Sequence, residues 1–191
     1  MARLKEFLPE EKLILARNTF WEKGYFATSM DDLVKATGLA RASIYTTYGD
    51  KKKLFMLCLE NYFAFVDADN ASAIAGLKSP KTSLEKLIER VLVRTMQSGN
   101  ACMGVKSGFE LGAKDEEIGK ILQVAAQKNI GLYLHLIEQA KAEGEIKSQM
   151  DAGDLANIVQ CYITGIGQQF ALGRSTAELK SAAKKLLKVF S

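Results

Sequence analysis

The chain has 191 residues, 48% of them hydrophobic and 25% charged, with a formal net charge of +4. That length supports one medium or two small domains with real cores, and so weak a net charge excludes a chain that coats nucleic acid indiscriminately. The excess is local: residues 1–55 hold 10 Lys+Arg against 7 Asp+Glu, and the remainder holds 16 against 15.

No apolar run is long enough to span a bilayer. The start, Met1-Ala2-Arg3-Leu4-Lys5-Glu6, lacks the apolar stretch of a signal peptide, so the expected location is the cytoplasm, with no membrane partner. Cys58, Cys102 and Cys161 are widely spaced, with no CxxC or Cys/His cluster. This pattern predicts reduced thiols and no metal or other cofactor. His135 is the lone histidine. No nucleophile–base pair or phosphate loop accompanies it, so the chain does not read as an enzyme, and His135 is expected on a helix surface or capped in the core.

Residues 9–23 form a first helix, with Pro9 in its first turn and Leu13, Ala16, Phe20 and Trp21 pointing inward. Ser29 and Asp32, three apart, form a capping box for a second, short helix carrying Leu33 and Val34. Gly38 stops it, in the left-handed conformation that suits glycine. A third helix follows over Ala40–Thr47. Ile44 and Tyr48 anchor it, and Arg41, Ala42, Ser43, Tyr45, Thr46 and Thr47 are left to face outward. Arg can make a bidentate contact to guanine, and Tyr, Ser and Thr can donate to phosphate oxygens.

Asp50 caps the next helix, and Lys51, Lys52 and Lys53 fill its first turn. Cations are disfavoured at a helix N-terminus, and a bound phosphate reverses that penalty. The layout of residues 28–54 is that of a helix-turn-helix that reads DNA.

This segment resembles the DNA-binding domain of the TetR (tetracycline-repressor) family of bacterial transcriptional regulators. The resemblance rests on Gly24-Tyr25-Phe26, Thr28-Ser29, Gly38-Leu39, Ile44-Tyr45-Thr46-Thr47-Tyr48 and Lys51. Ala40 departs from the usual small polar cap, and Ala42 stands where glycine is common. By resemblance, Thr28, Arg41, Ser43, Tyr45, Thr46 and Lys51 contact double-stranded operator DNA, with Tyr48 in the core. The implied fold is all-α: a helix-turn-helix domain over residues 1–50, then a helical domain over 51–191 for effector binding and dimerisation.

Beyond the head, a helix runs from Lys51 to about Ser72, and Gly76–Pro80 forms a loop. A stripe of Leu84, Leu87, Ile88, Val91, Leu92 and Thr95 gives another amphipathic helix, broken at Ser98-Gly99-Asn100. Residues 102–113 read as one short helix with Gly104, Gly108 and Gly112 along one face. Those glycines either pack closely against a neighbour or leave room for a ligand.

Asp115-Glu116-Glu117 opens a long helix carrying Ile118, Ile121, Leu122, Ala125, Leu132 and Leu136, which Gly144 ends. Asp151 or Asp154 starts another, with Leu155, Ile158, Val159, Tyr162, Ile163, Ile166 and Phe170, closed by Gly173. The last carries Leu179, Ala183, Leu186, Leu187 and Phe190. The final two helices are too apolar for a monomer's rim, and Gly165 and Gly167 permit close approach. By resemblance they pair a homodimer, which a helix-turn-helix needs to read two half-sites.

The stretch from Ala101 to Leu111 resembles a motif in one branch of the family. Cys102, Lys106, Phe109 and Glu110 of this motif, together with Tyr133 of the following long helix, are expected at the pocket for a small-molecule effector that releases a repressor from a pseudo-palindromic operator. Some members of that branch sense electrophiles or oxidants through the matching cysteine. The alternative is therefore a Cys102 thiol sensor activated by Lys106 one turn away. An all-helical interaction module without DNA binding is the reading of another class.

Overall fold

The computed structural model describes residues 8–188. Among them the protein is built from α-helices, with no strand. The expectations placed on Met1–Glu6 and Phe190 lie outside the described residues.

Helix α1 (Pro9–Lys23) opens with Pro9, whose missing N–H is harmless in a first turn. Helix α2 (Met30–Thr37) starts at the Ser29/Asp32 capping box and ends at Gly38, φ 69°. Helix α3 (Arg41–Tyr48) begins at Ala40, which offers no side-chain cap. Helix α4 (Lys51–Ile74) begins where the Asp50 carboxylate accepts the Lys53 N–H.

Eight-residue helices are unstable alone in water, so α2 and α3 depend on packing. Leu33, Ile44 and Tyr48 are buried against α1 and α4 with Phe20, Phe55 and Leu59. The Tyr48 hydroxyl donates to the Pro9 carbonyl at 2.6 Å. Phe55 is the centre of this cluster. Its ring lies 4.9 Å, centroid to centroid, from both Phe20 and Tyr25.

The body consists of α5 (Pro80–Ser98), α6 (Met103–Ser107), α7 (Glu116–Ala142), α8 (Ala152–Ala171) and α9 (Thr176–Leu187). Asp115, Asp151 and Ser175 cap the last three. One apolar cluster joins α5, the later half of α7, α8 and α9 around Leu87, Ile137, Leu155 and Val159. The other holds the head together and continues through α4 into Met103, Leu111 and Ile118 of the body. The turn expected to divide the domains, Gly49-Asp50, lies between α3 and α4, and the head's core runs past it.

The expected helix over 102–113 is corrected in its form. After Ser107 the chain continues as a π-helical turn, Gly108–Gly112. A π-turn adds a residue per turn, so the three glycines do not share one α-helical face. Their surroundings differ. A Cβ on Gly104 would lie 2.9 Å from the Phe63 ring, and Gly108 has nothing within 4 Å. The Gly112 carbonyl packs against α7, where a Cβ on Gly119 would sit 2.7 Å from it. Gly167 also packs within the chain, against Ala101, while Gly165 faces open space.

Phe55→Ala is expected to cost about 3–5 kcal/mol, as for other fully buried aromatic truncations. Urea denaturation followed by circular dichroism checks this; a loss below about 1 kcal/mol would contradict the central place given to Phe55.

Candidate nucleic-acid interface and internal cavity

The burial of Ile44 and Tyr48, one turn apart, settles which way α3 faces. Arg41, Tyr45 and Thr46 are exposed and Ser43 is half-buried. Tyr45 is 44% exposed, unusual for so large a ring. Arg41 pairs with Asp31 of α2 at 2.8 Å, with side chains 53% and 88% exposed. A pair so open to water contributes about 0–1 kcal/mol, so the guanidinium can exchange partners at little cost. The Thr46 hydroxyl donates to the Ala42 carbonyl at 2.9 Å, and the residue is exposed.

Thr28 is the correction in this set. It is fully buried, and its hydroxyl donates to the Gly24 carbonyl at 2.6 Å. It holds the loop before α2 in shape, and its side chain presents nothing to solvent.

The three lysines have three different environments. The Lys51 ammonium lies 4.5 Å from the centroid of the Tyr25 ring, half-buried. Burial lowers its pKa, and Glu110 opposes that. Lys52 pairs with Asp115 at 2.8 Å and with Glu117, tying α4 to the start of α7. These carboxylates push the Lys52 pKa well up. Lys53 is exposed. The run is thus not one solvated cluster: its middle member belongs to the body.

Between head and body, the α6 segment grips the end of α1. The Lys106 ammonium donates to the Trp21 and Glu22 carbonyls, both at 2.8 Å. The Glu110 carboxylate accepts the Tyr25 N–H at 2.7 Å. The Trp21 indole N–H donates to the Ala101 carbonyl at 2.7 Å. A Cβ on Gly24 would overlap the Glu110 carboxylate, and Gly24 has φ 85°, so glycine is needed there twice over.

This corrects two of the expected pocket residues. Lys106 and Glu110 do not line the cavity, because the unpaired groups at the end of α1 attract both. The expected Lys106–Cys102 activation is corrected with them. The Cys102 thiol instead faces the Tyr62 phenol, whose pKa burial raises first and Cys102 second.

The cavity itself has two adjoining chambers between α4, α5, α6, α7 and α8. The inner one, about 80 Å³, is lined by Trp21, Tyr62, Arg94, Cys102, Tyr133 and Gln160 among others. The outer one, about 350 Å³, lies along Gly104, Val105, Gly108, Phe109 and Leu122. Phe63, Cys102 and Gln160 belong to both walls. Of the residues expected at an effector pocket, Cys102, Phe109 and Tyr133 line these chambers, with Phe109 at the rim, 73% exposed. His135 is exposed on α7. No group of three metal-ligating side chains exists among the described residues.

Comparison with known proteins fits this architecture. The pattern of bacterial regulatory proteins of the tetR family matches residues 13–57, which span α1 to the start of α4. The chain is 29% identical to the uncharacterized HTH-type transcriptional regulator YezE of Bacillus subtilis (strain 168), over 78% of each chain. It is 26% identical to the HTH-type transcriptional repressor ComR of Escherichia coli (strain K12), over 98% of this chain and 91% of that one. Residues 13–57 thus match the DNA-binding domain of the tetR family. The two relatives that align over most of the chain are both named as HTH-type transcriptional regulators.

The TetR fold extends through the whole chain. A cysteine-substituted form of the TetR-family regulator CifR, complexed with 26 bp of operator DNA, superimposes with a TM-score of 0.87, at 19% identity and with all of each chain covered. A regulatory protein TetR from Rhodobacter sphaeroides gives 0.87 at 21% identity, covering 97% of this chain and 100% of that one. No helix among the described residues is long and apolar enough to cross a membrane.

The sequence reading overlooked Trp21, Arg94 and Gln160 as cavity residues. One signal was present for two of them: Arg94 and Gln160 are polar residues beside the apolar stripes of α5 and α8.

The capping box of α2 yields a pH dependence. The Lys23 ammonium, then the Ser29 N–H and hydroxyl, hold the Asp32 carboxyl well below the usual carboxylate range. A depressed folded pKa lends stability above the unfolded value, about 3.9, and loses it as the pH falls through the folded one. Asp32→Asn is thus expected to lower the melting temperature at pH 7, with the gap to wild type closing toward pH 2. A gap of constant size across thermal melts from pH 7 to 2 would show that the charge is not what stabilises this cap.

Proposed function

We propose that the protein is a repressor that binds a pseudo-palindromic operator as a homodimer and releases it when a small-molecule effector enters the cavity. The observation that carries this reading is the orientation of α3. Its apolar residues are buried on α1 and α4, and its polar residues form an outward face of the size a major groove admits. Arg41, Ser43, Tyr45 and Thr46 would meet bases and phosphates there, with Lys51 and Lys53 flanking on phosphate. Repression is supported by the name of the E. coli relative, and operator binding by the operator complex of the structural neighbour.

Dimerisation through α8 and α9 is supported by the open face at Gly165, the exposed Cys161 and the half-exposed Tyr162, Ile163 and Phe170. Two heads so paired would address half-sites about 34–36 Å apart, one turn of DNA. The domain division is proposed at Gly49-Asp50, with function in the cytoplasm.

An effector shifts the heads only by favouring one conformation over the other. The route runs from the outer chamber wall, Gly104 to Phe109, through Lys106 and Glu110 to the end of α1. Moving α6 must break or drag those bonds, and with them the head.

A gel shift with the DNA upstream of the protein's own gene, or a fragment selected from the genome, tests the reading. Wild type is expected to give a specific shift that weakens as salt rises. Arg41→Ala and Tyr45→Ala should each lower affinity about tenfold or more, on the scale of ~1–3 kcal/mol for a base contact, with unchanged circular dichroism. Folded variants that shift the fragment at wild-type concentrations would remove α3 from the interface.

A further inference from the structure

We infer that the effector is a small amphipathic molecule whose polar end carries both an O–H or N–H donor, for the Gln160 side-chain carbonyl, and a neutral or anionic acceptor, for the Arg94 guanidinium. The inference rests on the effector reading above and names the chemistry of that same cavity.

Gln160 supplies the first half. Its Oε1 is buried and has no hydrogen-bond partner. The orientation of this amide follows from its neighbour. The Thr164 hydroxyl donates its one hydrogen to the Gln160 backbone carbonyl at 2.9 Å. It can then only accept from the Gln160 side chain, and Nε2 reaches it at 3.5 Å. That leaves Oε1 as the free acceptor of a residue that lines both chambers. A buried acceptor left unpaired is costly, and a ligand donor satisfies it.

Arg94 supplies the second half. Among the described residues it is the one ionised side chain on the inner chamber's wall, and its side chain is only 11% exposed. Among the described residues its hydrogen bonds use Nη1 alone, to Asp69 and Asn70. Asp69 also pairs with Arg90, so one carboxylate serves two guanidiniums. The chamber therefore repels cations and accepts a carbonyl or carboxylate. Tyr133, its pKa pushed up to about 12 by burial, keeps its phenolic proton there and adds no negative charge.

Size orients the ligand. An inner chamber of about 80 Å³ holds several waters' worth of polar atoms. It is smaller than the about 150 Å³ cavity that accommodates benzene. The polar end fits inside and a ring does not. The outer chamber, about 350 Å³ and without an ionised side chain, takes the apolar body, and bare Gly108 widens it.

Trp21 is the chain's single tryptophan and lines the inner chamber, so its fluorescence reports occupancy without DNA. Four probes share one ring size: mandelate and phenylacetamide carry donor and acceptor, phenylacetate an acceptor alone, and 2-phenylethylamine a cationic donor. The first two should bind about tenfold or more tighter than the last two. Gln160→Leu should erase the advantage of mandelate over phenylacetate, and Gln160→Met, closer in length, carries the same expectation. Equal affinities for all four, no binding by any, or an advantage that survives both substitutions would overturn the inference. Operator release is read separately by gel shift. Binding with the stated preference but no release would overturn the effector reading and leave the ligand chemistry standing. Release by 2-phenylethylamine or phenylacetate alone would do the reverse.

Discussion

The end of α1 is the point on which this structure turns. A helix terminus leaves carbonyls without partners, and the turn after it leaves amides in the same state. Here these groups are satisfied by the α6 segment, about 80 residues away: Lys106 on the Trp21 and Glu22 carbonyls, Glu110 on the Tyr25 amide, and the Ala101 carbonyl on the Trp21 indole. Head and body are thereby one mechanical unit. The same segment forms a wall of the cavity, which is the physical basis of the proposed link between cavity contents and head orientation.

Packing explains why α3 can afford an outward face that makes no use of the core. The short helices are held from behind by Phe20, Tyr25 and Phe55, and Tyr48 is pinned to Pro9. Lys52 braces α4 against Asp115 and Glu117, leaving Lys53 free of that role. Such a face contributes nothing to folding, which is what a surface reserved for recognition requires. The Arg41–Asp31 pair is weak enough to be given up when a better partner arrives.

Much of the fold was legible because its signals are local. Ser29 with Asp32, Gly38, Asp50, Asp115 and Asp151 cap helices through contacts within four residues, and the apolar spacings of α4, α5 and α8 mark their buried faces. The site was legible only in part. Outward residues of α3 follow from the burial of Ile44 and Tyr48, one turn apart. Thr28 could not be excluded by spacing, since its burial depends on how the Gly24 loop folds back. Lys106 and Glu110 sit one turn apart on a motif that suggests a pocket, yet their partners are set by tertiary packing and by the π-turn at Gly108–Gly112. Gln160 and Arg94 are ordinary helix residues until the chambers around them are seen.

Amide hydrogen exchange of the protein with and without a bound operator fragment tests the central claim most directly. The account predicts protection concentrated in residues 41–48. It also predicts an altered exchange rate through residues 21–25 and 101–112, because linkage between two sites is reciprocal. Protection confined to α8 and α9, or a head whose exchange is unchanged by DNA, would contradict it.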